Sequence, residues 1–483
     1  MPNDIPDSSA TAQSQMHEIL DTCPIRPRHY VLWGLSAGGT LLDGMSIAAL
    51  AIALPLIKHS FSMSPLMIGA VSAASVVGMA IGAITGGRAS DRIGRRRLFL
   101  ISMSTITAGA LGSAFAGSAE LILVSQFILG CGIGSEFPNS STYVSEIMPA
   151  QARHRMLVAT ITFQSVGMLV AVGLGYLFLG ADPAVEVWRY FLGSRAVAAI
   201  LFVLIRGLSM PESPAWLMLQ GRNAEAAGAI TTLAPDRKQD LALLGRQARD
   251  QRFSSGEHQG GSTGLSVLFT GPYLRRTMLA AGAWFLMDIS TYGVGHFAPN
   301  VLATLFTGEH GGGVIAAEFV SIQGAFALDG FLLLGFLLGM WLVPRMGQIK
   351  MQGIGFLGMV LGMGILVVAV GGPDDESQST VLVVVGFSVF NLLMNMGPNS
   401  TTFGMSALLF PSEMRATAAG FSAACAKIGA TLGTLFLPSI SRAIGLQYTL
   451  ALLACLAGAG FLMTATLGRG LLPATDESSR SRA

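Results

Sequence analysis

The chain has 483 residues, of which 52% are hydrophobic and only 12% are charged, and its mean hydropathy is +0.60. Soluble globular domains carry about 25% charged residues, so this composition excludes an ordinary soluble protein and indicates one embedded in lipid. The formal net charge of +2 gives no support for a nucleic-acid binder. The four cysteines have no paired spacing, so neither a disulfide framework nor a metal site is expected.

About twelve apolar stretches approach the ~20 residues that cross a bilayer as a helix. We place them at roughly 31–57, 66–87, 98–117, 119–143, 156–181, 188–208, 277–303, 316–344, 350–370, 380–410, 416–440 and 446–468. The residues before the first stretch lack the basic n-region and cleavage pattern of a secretory signal, so we expect that stretch to stay as a span. The predicted fold class is an all-α integral membrane protein with twelve transmembrane helices.

The longest polar interruption, Pro211 to Arg276, divides the chain into two six-helix halves. The expected regions are an N-terminal tail (1–30), an N-terminal half (31–208), a central loop (209–276), a C-terminal half (277–468) and a C-terminal tail (469–483). Most Lys and Arg residues fall in the tails, the central loop and the loops after helices 2, 4, 8 and 10. Basic loops are retained in the cytoplasm, which predicts a multi-pass cell-membrane protein with both termini cytoplasmic.

The two halves repeat the same sequence landmarks in the same order. Asp43 matches Asp288 at an offset of 245 positions, the loop at 91–95 matches that at 344–348 at an offset of 253, and Pro149 with Arg153 matches Pro411 with Arg415 at an offset of 262. The offset drifts only through loop lengths, which indicates a duplicated six-helix unit. Two such halves can expose a site between them to each side of the membrane in turn.

The loop after helix 2 reads G-R-A-S-D-R-I-G-R-R-R from Gly87 to Arg97 and resembles the major facilitator signature. The resemblance implies two pseudo-symmetric six-helix halves and a gating motif at Gly87, Asp91, Arg92, Gly94, Arg95 and Arg96. Physically, Asp91 at a helix end can pair with basic groups across the halves. The alternative interpretation is a plain cluster of arginines that sets topology.

Two further segments resemble particular transporter families. Pro211 to Leu217, P-E-S-P-A-W-L, is similar to the motif after helix 6 of sugar porters and related metabolite symporters. It serves as a gating motif or simply as the end of one helix and the capped start of another. Helix 7, A-W-F-L-M-D-I-S-T-Y-G, and the stretch beginning N-M-G-P-N-S-T-T-F resemble the phosphate:proton symporters.

Ionisable groups inside membrane spans are costly, so they are the first candidates for chemistry. They are Asp43, Glu136, Glu146, Asp288, Asp329, Arg195 and Lys427. Asp288 is the strongest proton-carrier candidate because Trp284 and Tyr292, one turn to either side, share its helical face. The alternative is a structural aspartate satisfied by a neighbouring helix.

Lys427 lies among alanines on helix 11, where an anion or Asp288 would satisfy its charge. A lysine that extends to the interface is the alternative. Helix 10 carries Asn391, Asn395 and Asn399 on one stripe beside Pro398, either as interhelical hydrogen-bonding groups or as solute donors.

The resemblance to phosphate:proton symporters implies roles for individual residues. It implies phosphate contacts for Gln164, Trp284, Asp288, Tyr292, Lys427 and either Asn395 or Asn399, and proton coupling for Asp43, Asp288 and Glu136. Two departures weaken the match: Phe137 replaces a phosphate-binding tyrosine after Glu136, and Ser46 replaces a second acid in helix 1.

The sequence therefore predicts a secondary active transporter, a proton-coupled symporter that imports a small anionic solute such as inorganic phosphate by alternating access. A proton symporter for an organic acid or a sugar-like metabolite is the alternative. A membrane solute receptor that does not transport is a different class, and it has no need of both Asp288 and Lys427 in mid-span. No enzyme is expected, since there is no Walker loop and no catalytic cluster of histidines. No cofactor is expected, the partners are the solute, the proton and the lipid bilayer, and the oligomeric state stays open.

Overall fold

The computed structural model describes residues 8–181, 184–250, 264–306, 314–370 and 380–471. The first part of the chain contains α1 (Ser8–Thr22), α2 (Pro27–Ser36), α3 (Gly38–Phe61), α4 (Pro65–Ile93), α5 (Arg95–Ala114), α6 (Ala119–Ile147), α7 (Ala150–Ala181) and α8 (Trp188–Ser209). Then follow α9 (Pro214–Leu219), α10 (Asn223–Leu233), α11 (Lys238–Asp250) and α12 (Gly271–Thr277). The last part contains α13 (Ala283–Phe306), α14 (Val314–Met346), α15 (Gln348–Val370), α16 (Thr380–Met394), α17 (Ser400–Leu409), α18 (Arg415–Ile444) and α19 (Leu446–Leu467).

Within those ranges, nine helical stretches are long and apolar enough to cross a membrane. Two of them combine two helices, α2 with α3 and α16 with α17. Adding α5, α13 and α14 completes the predicted set of twelve. The spanning helices therefore follow the predicted order along the chain.

The spans depart from straight helices at three points. The first is interrupted at Ala37, where α2 ends and α3 begins. The seventh begins earlier than predicted, at Gly271, and a π-helical turn, Met278–Gly282, joins α12 to α13. A second π-helical turn, Asn395–Asn399, contains Pro398, whose ring nitrogen has no hydrogen to donate to the helix.

Helix α1 lies within the segment that the sequence indicates as a polar tail. It buries Ala12, Met16 and Leu20, which recur at every fourth position on one face. Gln13 Nε2 donates to Met218 O at 3.2 Å, and α1 also packs against α10 and α11. We call the end of the bundle covered by α1, α9, α10 and α11 the capped end, and the other the uncapped end.

Glycines bring the helices that carry the predicted site residues into backbone contact. A Cβ added to Gly44 of α3 would lie 1.8 Å from Gln164 O of α7, and one added to Gly167 of α7 would lie 2.0 Å from Leu41 O. In the other half, a Cβ on Gly429 of α18 would lie 2.6 Å from Phe285 O of α13. The two halves thus use the same close pairing of helices.

The halves meet closely where α4 crosses α18. A Cβ on Gly87 would lie 2.4 Å from Ala416 O, and one on Gly420 would lie 2.3 Å from Ala83 O. Since any side chain at either position collides with backbone, the crossing requires glycine from both halves. It lies next to the loop between α4 and α5, at the capped end.

Candidate solute and proton site

The C-terminal half holds a buried ion pair between α13 and α18. Lys427 Nζ lies 3.1 Å from Asp288 Oδ2 and donates to Tyr292 Oη at 3.3 Å. Asp288 is 3% exposed and Lys427 is 4% exposed, so the lysine does not extend to an interface. The structure brings these three predicted residues together, and the ammonium satisfies the aspartate.

The N-terminal half holds an acid and an amide at a comparable place. Gln164 Nε2 of α7 donates to Asp43 Oδ2 of α3 at 2.6 Å. The other carboxylate oxygen, Asp43 Oδ1, is buried and has no hydrogen-bond partner among the described residues. A buried carboxylate oxygen without a partner makes the ionised acid costly. That oxygen is therefore free to accept a proton or a hydrogen bond from a donor group.

Aromatic rings connect the two halves beside Lys427. Phe137 of α6 packs edge-on against Trp284 of α13, with ring centroids 6.3 Å apart, and against Phe403 of α17 at 6.2 Å. Lys427 Nζ lies 5.4 Å from the centre of the Phe137 ring and 5.1 Å from that of Tyr292. The position where the sequence departs from the phosphate:proton symporters therefore faces the lysine through a cation–π contact.

Glu136 is fully engaged inside the N-terminal half. Arg206 of α8 binds both of its oxygens, Nη1 to Oε1 at 2.9 Å and Nη2 to Oε2 at 3.0 Å. Ser102 Oγ donates to Oε1 as well, and Arg206 Nε bonds Leu35 O at 2.9 Å. This bidentate pair fastens α6 to α8 and α2. A proton-coupling role for Glu136 stays a prediction.

The amides of the tenth predicted span, which α16, the π-helical turn and α17 form, bond mainly within that span. Asn395 Nδ2 donates to Asn391 O at 2.7 Å, and Asn399 Nδ2 donates to Asn395 Oδ1 at 2.8 Å. A Cβ on Gly335 of α14 would lie 3.0 Å from Asn395 Cβ, so that asparagine packs towards α14. These bonds satisfy polar groups of the π-helical turn, and solute binding by either amide stays a prediction.

The gating motif joins the halves at the capped end. Asp91 Oδ2 accepts from Thr417 N at 2.8 Å and from Thr417 Oγ1 at 2.7 Å, so an acid of α4 caps the first turn of α18. Arg95 Nη1 lies 3.1 Å from Asp91 Oδ1.

The other motif residues shape the loop after α4. Gly94 has a φ of 98°, a backbone conformation that favours glycine. Arg96 Nη2 donates to Gly207 O at 2.7 Å, and Arg92 is exposed.

Glu146, which the sequence indicates as an ionisable candidate without a role, is the centre of this network. Arg95 Nε and Nη2 bind its two oxygens at 3.1 and 3.0 Å, and Ser213 Oγ donates to it at 2.6 Å. Nη1 of Arg415, from the other half, lies 3.7 Å from Glu146 Oε1. A signal for this role was available, since Glu146 is one of the few acids at the end of a predicted span and the arginine-rich loop at 91–97 belongs to the same half.

The segment after α8 is part of the same network. Glu212 accepts backbone N–H groups of Arg95 at 2.8 Å and Arg96 at 3.1 Å. Burial raises the pKa of Glu212 above its usual range, and these N–H groups oppose that rise. Ser213 Oγ accepts from Trp216 N at 3.2 Å and caps α9. The motif thus fixes the loop after α4 to α9.

Some predicted residues have no structural outcome. The side chain of Asp329 lies outside the described residues. Within the part of the chain that is described, no three His, Cys, Asp or Glu side chains are grouped so as to hold a metal ion. The division into tails, halves and central loop also stays a prediction.

A model of the family described as sugar (and other) transporter matches residues 35–471. The inner membrane metabolite transport protein YgcS of Escherichia coli is 27% identical over 446 residues, covering 92% of each chain. The probable inorganic phosphate transporter 1-6 of Arabidopsis thaliana is 27% identical over 477 residues, covering 91% of this chain and 85% of the relative.

A solved structure of the proton:xylose symporter XylE, bound to 6-bromo-6-deoxy-D-glucose, superposes with a TM-score of 0.76 at 20% identity. The match covers 92% of this chain and 96% of XylE, a protein from E. coli. The likeness confirms the predicted twelve-helix major facilitator fold. The family match over residues 35–471 confirms the resemblance drawn from the loop after helix 2.

Proposed function

The chain belongs to the family of sugar and other transporters, and we propose that it is a proton-coupled symporter that imports a small anionic solute such as inorganic phosphate. The observation that carries this proposal is the buried Lys427, held between Asp288 and Tyr292 and facing the other half through Phe137. An ammonium at this depth is energetically costly, so its presence indicates a function. Binding an anion is such a function.

The charges beside the lysine supply a reason for coupling to protons. Asp43, Asp288 and Lys427 together carry one net negative charge when both acids are ionised, which repels an anion. Protonation of Asp288 breaks its ion pair with Lys427 and leaves the ammonium free to bind the solute. Loss of that proton restores the pair with the lysine and expels the anion. Asp43, in the equivalent place of the other half, passes the proton or controls its path.

The membrane potential makes such compensation necessary. An anion that enters an energised cell opposes the potential at about 2.3 kcal/mol per charge per 100 mV. Import together with at least one proton per negative charge removes that cost. A symporter of this design works with the capped end on the cytoplasmic side, in the orientation that the basic loops predict.

Alternating access requires that the capped end open. The crossing of α4 with α18 and the contacts Asp91–Thr417 and Glu146–Arg415 join the halves there. The rings of Phe137, Trp284 and Phe403 join them one layer deeper, beside Lys427. Release to the capped side therefore means separating both layers, while the pairs within each half move with their own helices.

A proton symporter for an organic acid or a sugar-like metabolite is the second candidate. The observation in its favour is Phe137, which offers an aromatic face where a phosphate carrier would use a hydroxyl donor. Phosphate transporters and a proton:xylose symporter both occur among the similar proteins, so kinship leaves the solute open.

Purified protein in proteoliposomes tests the proposal. Uptake of radiolabelled phosphate should rise as the external pH falls from about 8 to about 5.5, because Asp288 must be loaded from outside. A protonophore should abolish accumulation and leave counterflow exchange intact. Competition by organic acids or sugars against the labelled phosphate separates the two candidates. Accumulation that survives the protonophore and follows a sodium gradient would overturn proton symport.

A further inference from the structure

Helix α8 carries two fully buried arginines on one face, and they differ in their partners. Arg206 has Glu136 and two backbone carbonyls within reach. Arg195 has one bond, from Nε to Leu192 O of its own helix at 3.0 Å. Its terminal nitrogens, Nη1 and Nη2, are buried and have no hydrogen-bond partner among the described residues.

The place of Arg195 separates it from the transport site. Its helix packs against α3 and α5 in the same half, with Trp188 Nε1 bonded to Ser60 Oγ at 3.1 Å near the uncapped end. The bond to Leu192 O directs the guanidinium back along α8 towards that end. Arg206, whose partner is Glu136, lies about 16 Å further along α8 at 1.5 Å per residue, so that ion pair forms at a different level of the helix from Arg195.

A guanidinium does not lose its charge in a protein, so burial cannot be relieved by deprotonation. A buried ion without a counter-charge is strongly unfavourable, and an oriented fork of free N–H groups is a good ligand for an anion. We propose that Arg195 binds a small monovalent inorganic anion, such as chloride, as a structural ligand of the N-terminal half. Phe191, Leu192 and Ala199, within one turn of Arg195 on α8, are buried and apolar, so this stretch of the helix offers no second charge for the anion.

The test measures the thermal unfolding midpoint of the full chain in detergent while gluconate is replaced stepwise by chloride. A bound anion raises the midpoint continuously with the logarithm of the chloride concentration once chloride exceeds its dissociation constant, and bromide and nitrate substitute for it while gluconate does not. In Arg195→Met, which keeps length and removes the fork, the midpoint should no longer depend on chloride. Arg206→Met is the matched control: it lowers the midpoint by leaving Glu136 unpaired, yet its rise with chloride should equal that of the wild type.

A second measurement covers the case in which Arg195→Met does not fold. Crystals of the wild type grown in bromide should give an anomalous peak within contact distance of Nη1 and Nη2. A wild-type midpoint that is the same in chloride and gluconate, or the absence of that peak, would show that water alone solvates the guanidinium and would overturn the proposal. Neither result depends on solute or proton transport.

Discussion

The two halves place an acid against a partner from the neighbouring helix, but the partners differ in charge. In the N-terminal half Asp43 of α3 meets the amide of Gln164 on α7 at 2.6 Å. In the C-terminal half Asp288 of α13 meets the ammonium of Lys427 on α18 at 3.1 Å. The acids are 245 positions apart and their partners 263 apart, close to the offsets of the repeat.

The packing beneath these pairs is shared as well. Gly167 of α7 and Gly429 of α18, 262 positions apart, each press against a backbone carbonyl of the acid-bearing helix, Leu41 O and Phe285 O. The two halves therefore share one scaffold, and an amide in one where the other has an ammonium makes them electrostatically unequal. In the ion pair, the ammonium can exchange its carboxylate partner for a solute anion, whereas the acid and the amide offer no cation to bind one.

The largest expected effect comes from neutralising the two acids in turn. Asp288→Asn should abolish accumulation driven by a pH gradient, because an amide cannot cycle a proton. Uptake into proteoliposomes with an acid exterior measures this. The matched variant Asp43→Asn should lower the uptake rate and leave some accumulation, since its oxygen already pairs with an amide rather than with the cation.

Counterflow exchange is the control for both variants, since it needs binding and helix movement but no net proton flux. Exchange should continue in each. Accumulation by Asp288→Asn equal to the wild type would remove that aspartate from the mechanism. Loss of accumulation in Asp43→Asn alone would transfer the proton-carrying role to the N-terminal half.

Replacing Lys427 should have the next largest effect. Lys427→Ala removes a charge-assisted bond to the anion, worth about 1.5–3 kcal/mol, and should raise the KM for the solute roughly tenfold or more. The double variant Asp288→Asn with Lys427→Ala removes both charges and isolates the cost of leaving the aspartate unpaired. An unchanged KM in correctly folded Lys427→Ala protein would indicate a neutral solute.

The smallest effect concerns the shared scaffold. Gly44→Ala places a methyl group 1.8 Å from Gln164 O and should cost about 1–3 kcal/mol of stability, while Gly429→Ala meets Phe285 O at 2.6 Å and should cost less. Unfolding midpoints in detergent measure both. Gly69→Ala, with no atom within 4 Å of the added Cβ, is the neutral control. Equal midpoints for all three would refute the glycine packing.

Much of the candidate site was predictable because ionisable residues are energetically costly inside a membrane span. An ionisable residue inside an apolar span needs a reason, so the shortlist that included Asp43, Asp288 and Lys427 followed from hydropathy alone. Helical periodicity then placed Tyr292 on the face of Asp288. Arg206 was missed because it stands at the end of its predicted span, where basic residues are ordinary, and only the fold directs it inward to Glu136.

The sequence by itself determined the membrane class and the order of the twelve spans, and it indicated the repeat and the acids and cation of the candidate site, since each depends on local composition or periodicity. Only the tertiary structure decided which polar side chains pair: Lys427 with Asp288, Gln164 with Asp43, and Arg206 with Glu136. It also left Nη1 and Nη2 of Arg195 without a hydrogen-bond partner among the described residues. The reason is that pairing depends on how helices far apart in sequence rotate and approach, and glycine contacts between their backbones fix that approach.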